Sequence, residues 1–157
     1  MVLTEILLAN IAQCPVIRAM IWVESINLAL ERFEINTAAR IGAFITQASF
    51  TSDRFQHTIE EWNPNVYLWQ AQYEGNTDIG NTEPGDGRLF IGRGLLPSGM
   101  RGRLNYQQFG ESVGEDIVSN PSIVESRKYA ALAAGWVWHS RGCNTLADIG
   151  EFKRTII

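Results

Sequence analysis

Few side chains in these 157 residues are typed and spaced for chemistry. Glu60 and Glu61 are adjacent carboxylates, the group that general acid–base catalysis uses most often after histidine, and equally a common solvated pair on a helix surface. Downstream, residues 83–106 read EPGDGRLFIGRGLLPSGMRGRLNY, where Arg88, Arg93, Arg101 and Arg103 stand against Asp86 and make the stretch locally basic. Such a loop attracts an anionic partner or is simply solvated. Eight glycines fall between Gly75 and Gly102, a density that implies a shaped backbone, because glycine alone enters left-handed or crowded conformations cheaply. The run Gly94 to Arg101 imitates the spacing of a phosphate-binding loop but lacks its Lys-Ser/Thr, which argues against phosphate. Cys14 and Cys143 lie far apart, and with His57 and His139 they form no ligand spacing, so neither a metal nor a cofactor is expected.

The elements that must position these residues are helical by periodicity. Thr4 can cap a first short helix with Leu3, Ile6, Leu7 and Ile11 on one face. Pro15 suits the start of a second, in which Val16, Ala19, Met20, Val23, Ile26, Leu30 and Phe33 recur inward. Thr37 caps a third with Ile41, Phe44, Ile45 and Ala48 inward, and Phe50 to Trp62 continues it more weakly until Asn63-Pro64. Leu89-Phe90-Ile91 reads as a brief strand. A helix from Arg103 is expected to stop at Gly110, and a last long one to span about Ser126 to Arg141 with Gly142 ending it. Trp62, Tyr67, Trp69 and Tyr73 are spaced for core packing or for stacking on sugar rings. The fold class is mainly α, one domain over 1–157, with a glycine-rich loop or short β element.

At the level of motifs, Gly85-Asp86-Gly87, Gly92-Arg93-Gly94-Leu95, Asn105-Tyr106 and Phe109-Gly110 resemble glycoside hydrolase family 19, the chitinases and lysozyme-like phage endolysins. Tyr73-Glu74-Gly75, Asp78 to Thr82, Ala43 to Gln47 and the Ala133 to Gly142 segment agree with it, so the likeness covers about residues 3–156. It implies a lysozyme-like fold and an inverting hydrolase, which needs one carboxylic acid on the leaving oxygen and a second carboxylate on water. The family's acid is the glutamate of a His-Glu-Ser motif ending the third helix, where this chain reads Phe50-Thr51-Ser52. A threonine hydroxyl holds its proton too tightly to act as a general acid. Glu60 matches the second carboxylate.

Two further elements depart from the family. Its Gln-x-Thr-Gly after Gly-Arg-Gly-Leu is replaced by a segment two residues longer, Leu96 to Leu104, in which Pro97 removes a backbone donor and Ser98 is the one stand-in for the threonine. The Asn-Gly-Gly substrate turn is not found in residues 152–157, so the domain is expected to be shorter than the family's at its C-terminal end. The resemblance therefore implies vestigial catalytic positions at Thr51, Glu60 and Ser98. Candidate binding residues are Arg93, Asn105, Tyr106, Pro97, Met100, Arg101 and Arg103. Arg93 is expected to hold the loop or a buried carboxylate such as Asp86, and Asn105 to bind sugar or cap the helix that follows.

The expected role is a catalytically inactive, endolysin-like pseudoenzyme. It would bind a protein partner, for example as a phage-encoded inhibitor of a host system, or residually a peptidoglycan- or chitin-type glycan. An active muramidase using Glu60 or Glu61 is the alternative. The net charge of −4 argues against nucleic acid, and no apolar run is long enough for a membrane span. Glu5 and the lack of a basic leader point to the cytoplasm, of a bacterial host if the chain is phage-encoded.

Overall fold

The computed structural model describes residues 2–157, with seven α-helices joined by short 3-10 turns. They are α1 (Glu5–Ala12), α2 (Val16–Arg32), α3 (Ala38–Thr51), α4 (Asp86–Leu89), α5 (Arg103–Val113), α6 (Arg127–Ser140) and α7 (Cys143–Asp148). The mainly-α expectation holds.

Thr4 and Thr37 cap α1 and α3 as expected, their hydroxyls accepting from the Leu7 and Arg40 amides. The centre of the molecule is α6. From Ala130 to Trp138 every residue of this helix is buried, so it is enclosed on all sides rather than on one face. Small residues allow that enclosure. A Cβ added at Gly135 would stand 2.5 Å from the Phe33 ring, so α2 crosses α6 at close range. Trp138 meets Phe44 of α3 edge-on at 5.6 Å and donates its indole N–H to Asn144 of α7 at 2.9 Å. Asn144 in turn donates to the Phe33 carbonyl at 3.0 Å, so one amide ties α6, α7 and α2 together.

Five local expectations need correction. α1 buries Leu8, Ala9 and Ala12, whereas Ile6 and Leu7 are exposed. The inward face of α2 is Ala19, Trp22, Ile26, Ala29 and Leu30, whereas Val16 and Met20 are exposed. The helix is apolar on both sides, so periodicity alone does not choose between them. No helix continues from Phe50 to Trp62: α3 ends at Thr51, and Asp53, Arg54 and Phe55 turn the chain through left-handed backbone. The Ser52 hydroxyl stabilises that turn, donating to the Ala48 carbonyl and accepting from the Phe55 amide. Residues 89–91 form no strand. Asp86 starts the short α4 instead, and among the described residues the only β pairing is an isolated bridge between Ile59 and Arg93. Finally α5 passes through Gly110, which is buried against Ile117, and stops at Gly114 with a φ of +73°.

Candidate functional site

Part of the glycine-rich stretch lies against α6, and Gly94 and Gly99 are the glycines that let it lie close. The Leu95 amide donates to the Ala130 carbonyl at 3.2 Å. A Cβ on Gly99 would sit 2.3 Å from a Val137 methyl. Around Leu95 and Gly99 the surface this backbone approaches is the protein's own central helix, and at Gly87, Gly92 and Gly102 it is other loop backbone. Gly102 adds a conformational reason: its φ of +92° and ψ of 145° belong to a region that essentially only glycine occupies.

Glu60 sits where this wrap begins. Its backbone N–H donates to the Gly92 carbonyl at 2.9 Å, and its side chain accepts the Gly92 N–H at 2.6 Å. Arg101 reaches the same carboxylate through Nη2 at 2.8 Å and Nε at 3.2 Å, so three donors converge on two oxygens. Only 11% of the Glu60 side chain is accessible, and the Arg101 guanidinium lies over the Tyr73 ring. These three donors take up most of the roughly four acceptor sites of the carboxylate and tie it to the loop backbone and to Arg101. Glu61 is exposed and accepts the Tyr67 hydroxyl at 3.1 Å, which holds that phenol above its ordinary pKa.

Thr51 ends α3 with its hydroxyl directed into backbone carbonyls, those of Gln47 at 3.0 Å and Leu95 close by. One hydroxyl proton serves both, so Thr51 fastens the glycine stretch to α3. A threonine there acts as a clasp, in the place where the resemblance has its acid.

Three of the four arginines are also committed inward, so the loop is less of an exposed basic surface than the sequence suggests. Arg93 is buried, donating to Glu125 at 2.8 Å, to the Leu89 carbonyl at 2.7 Å and to the Tyr106 hydroxyl at 3.0 Å. Asp86 belongs to Arg103 rather than to Arg93, through bonds of 2.9 and 2.6 Å. Arg103, foremost by those bonds, holds the Asp86 carboxyl below its usual range. Arg88 alone of the four lacks a carboxylate among the described residues and rests over Trp62.

The other candidate residues differ in how far they are enclosed. Tyr106 is fully buried and donates to the Ile91 carbonyl at 2.6 Å; burial raises its phenol pKa far above normal, with Arg93 opposing. Met100 is fully buried as well, so neither side chain can meet a ligand. Asn105 lies inside α5 rather than capping it and donates to the Arg101 carbonyl at 2.6 Å. Pro97 and Ser98 are half-buried, and Ser98 donates to the Ile157 carbonyl at 3.0 Å. Of the aromatics, Tyr73 is buried, whereas Trp69 is half exposed with its ring 5.0 Å from that of Tyr67.

What sequence reasoning missed is a groove of about 750 Å³ between α3 and the segment 152–157. Its floor is the small-residue side of α3, Ala38, Ala39, Gly42 and Ala43, and its far wall is Phe152 and Ile156. Gln47 holds that wall in place, donating to the Thr155 carbonyl at 2.9 Å. Phe50 and Thr51 line one end, and the Phe50 ring is 86% exposed. The spacing of small residues on α3 was the available signal; that the C-terminal segment folds back over them was not local information. No carboxylate side chain lines the groove, and Glu60 faces elsewhere. Among the described residues no cluster of three or more His, Cys, Asp or Glu is placed to hold a metal. No protein-family model matches the chain.

Proposed function

We propose that the chain is a lysozyme-like scaffold, related to glycoside hydrolase family 19, that does not hydrolyse glycosidic bonds and acts by binding an apolar segment of a protein partner in the α3 groove. One observation carries the reading: the groove beside Thr51 is mostly apolar, with Thr46, Gln47 and Lys153 among its lining but no acidic side chain, while Glu60 is engaged by Arg101 and the Gly92 amide. The inverting hydrolysis that the resemblance implies needs two free carboxyl groups facing one sugar bond. An apolar trough with an exposed phenylalanine at its mouth suits a helix or extended peptide presenting aliphatic anchors.

The test pairs a peptidoglycan turbidity assay with capture of partners from bacterial lysate by the wild type and by Phe50→Asp. The proposal expects no clearing, and a partner retained by the wild type but not by the variant. Clearing that disappears in Glu60→Gln would instead establish a muramidase. A second reading, residual glycan binding, is favoured by the exposed Tyr67–Trp69 pair, since aromatic faces stack on sugars. It expects retention on insoluble peptidoglycan that Trp69→Ala removes and Phe50→Asp leaves intact.

A further inference from the structure

The outward side of α2 carries an apolar stripe that nothing in the chain covers. Ile17, Met20, Ile21 and Leu28 are all exposed, and with Glu24 their spacing places them within roughly 100° of helix surface. The start of α1 is pinned beside this stripe, because Leu3 and Asn27 exchange two hydrogen bonds of 2.8 and 2.9 Å. Val2 and Ile6, also exposed, therefore extend the same side of the molecule. Six apolar side chains left this open form a patch on the order of several hundred Å², the size at which the largest patch on a protein is often an interaction site, and a sizeable part of the ~800 Å² each partner of a standard dimer contributes.

The charges on this face select the occupant. A membrane-lying helix surrounds its apolar face with lysine and arginine. Here Glu5, Glu24 and Glu31 outnumber Arg18 and Arg32. Arg18 and Glu24 are about 9 Å apart along the helix and about 120° apart around it, too far to pair within one chain. Among the described residues neither has an ion-pair partner, and Arg18 donates only to the Arg54 carbonyl at 3.3 Å. An antiparallel two-fold centred on Ile21 resolves both. It sets each Ile21 against its copy, buries Ile17 and Met20, and brings the Arg18 of each chain to the Glu24 of the other, twice per interface.

We infer that the α1–α2 face is a homodimer interface, with a second copy of this chain docked antiparallel along α2. Sedimentation measurements across a concentration series test it, on the whole chain. The wild type should dimerise reversibly, and Ile21→Glu, which alters a side chain already exposed, should be a folded monomer by circular dichroism. Arg18→Glu and Glu24→Arg should each weaken association about tenfold or more, and the double reversal should recover it. A wild type still monomeric at about 100 μM, where even a micromolar dimer is populated, overturns the proposal. So does a dimer that survives Ile21→Glu, a double reversal that fails to recover, or a monomer that partitions instead onto lipid vesicles.

Discussion

Glu60→Gln separates a structural carboxylate from a catalytic one. The substitution keeps the shape and an acceptor for the Gly92 N–H but removes the charge that Arg101 reaches through two bonds. Hydrogen bonds to a charged group are worth about 1.5–3 kcal/mol each. The Arg101 side chain is 31% accessible, so water and screening recover part of that, and a net cost of about 1–2 kcal/mol is expected. For a chain of this length each kcal/mol shifts the unfolding temperature by about 2–4 °C, so the variant should melt roughly 2–8 °C lower. Arg101→Met should cost a similar amount. The double variant should cost clearly less than the two singles added, since they remove one interaction. Thermal and urea unfolding of the four proteins supply the cycle. A Glu60→Gln protein as stable as the wild type, or more so, refutes the reasoning, because a carboxylate kept for catalysis commonly costs its scaffold stability and its removal relieves it.

Other expectations concern the wrap and the groove. Gly102→Ala should lose at least about 2 kcal/mol, since its conformation is reserved for glycine and its Cβ would stand 2.4 Å from the Ile79 carbonyl. Gly114→Ala, with a φ of +73° and open space around it, should lose only about 1 kcal/mol by urea unfolding. Tyr106→Phe leaves the Ile91 carbonyl and an Arg93 N–H without their partner in a buried site, at a cost of about 2 kcal/mol in the same assay. Asp86 has a depressed folded pKa, so its contribution is complete above the unfolded carboxylate value of about 3.9 and fades as pH falls through the lower folded value. The gap in unfolding free energy between wild type and Asp86→Asn should therefore be flat above about pH 5 and close below about pH 4. Phe50→Ala should change stability by less than about 0.5 kcal/mol, as expected of an exposed ring, while weakening partner capture.

The parts of this fold legible in the sequence are those with local causes. Thr4 and Thr37 announce helix starts through one hydroxyl each, and Ile41, Phe44, Ile45 and Ala48 mark an inward face because the residues between them are mostly small or polar. Face assignment failed in α2, where Ile17, Met20, Ile21 and Leu28 are as apolar as the buried side. The brief strand at 89–91 follows from the β preference of its residues, overridden by Asp86 anchoring a helical turn through Arg103, 17 residues away. Ion-pair choice was equally non-local: Arg101 and Glu60 are 41 residues apart, and nothing in their neighbourhoods distinguishes Arg93 from Arg103 as the mate of Asp86. Counting arginines therefore suggested a basic surface that inward pairing reduces. The groove needed the position of the C-terminal segment, which Gln47 and Ser98 hold through two backbone carbonyls.

The enclosure of α6 has a consequence for the order in which the molecule comes apart. With Ala130 to Trp138 buried on every side and part of the glycine stretch laid over it, no single neighbour can lift away and admit water to its whole length. Its amides should exchange with deuterium only when the entire chain opens, making them the slowest set in the protein. The α1 amides, by contrast, need only the short first helix to detach. Exchange at Ala133 and Val137 would thus report global stability for every variant above in one spectrum, alongside local opening elsewhere.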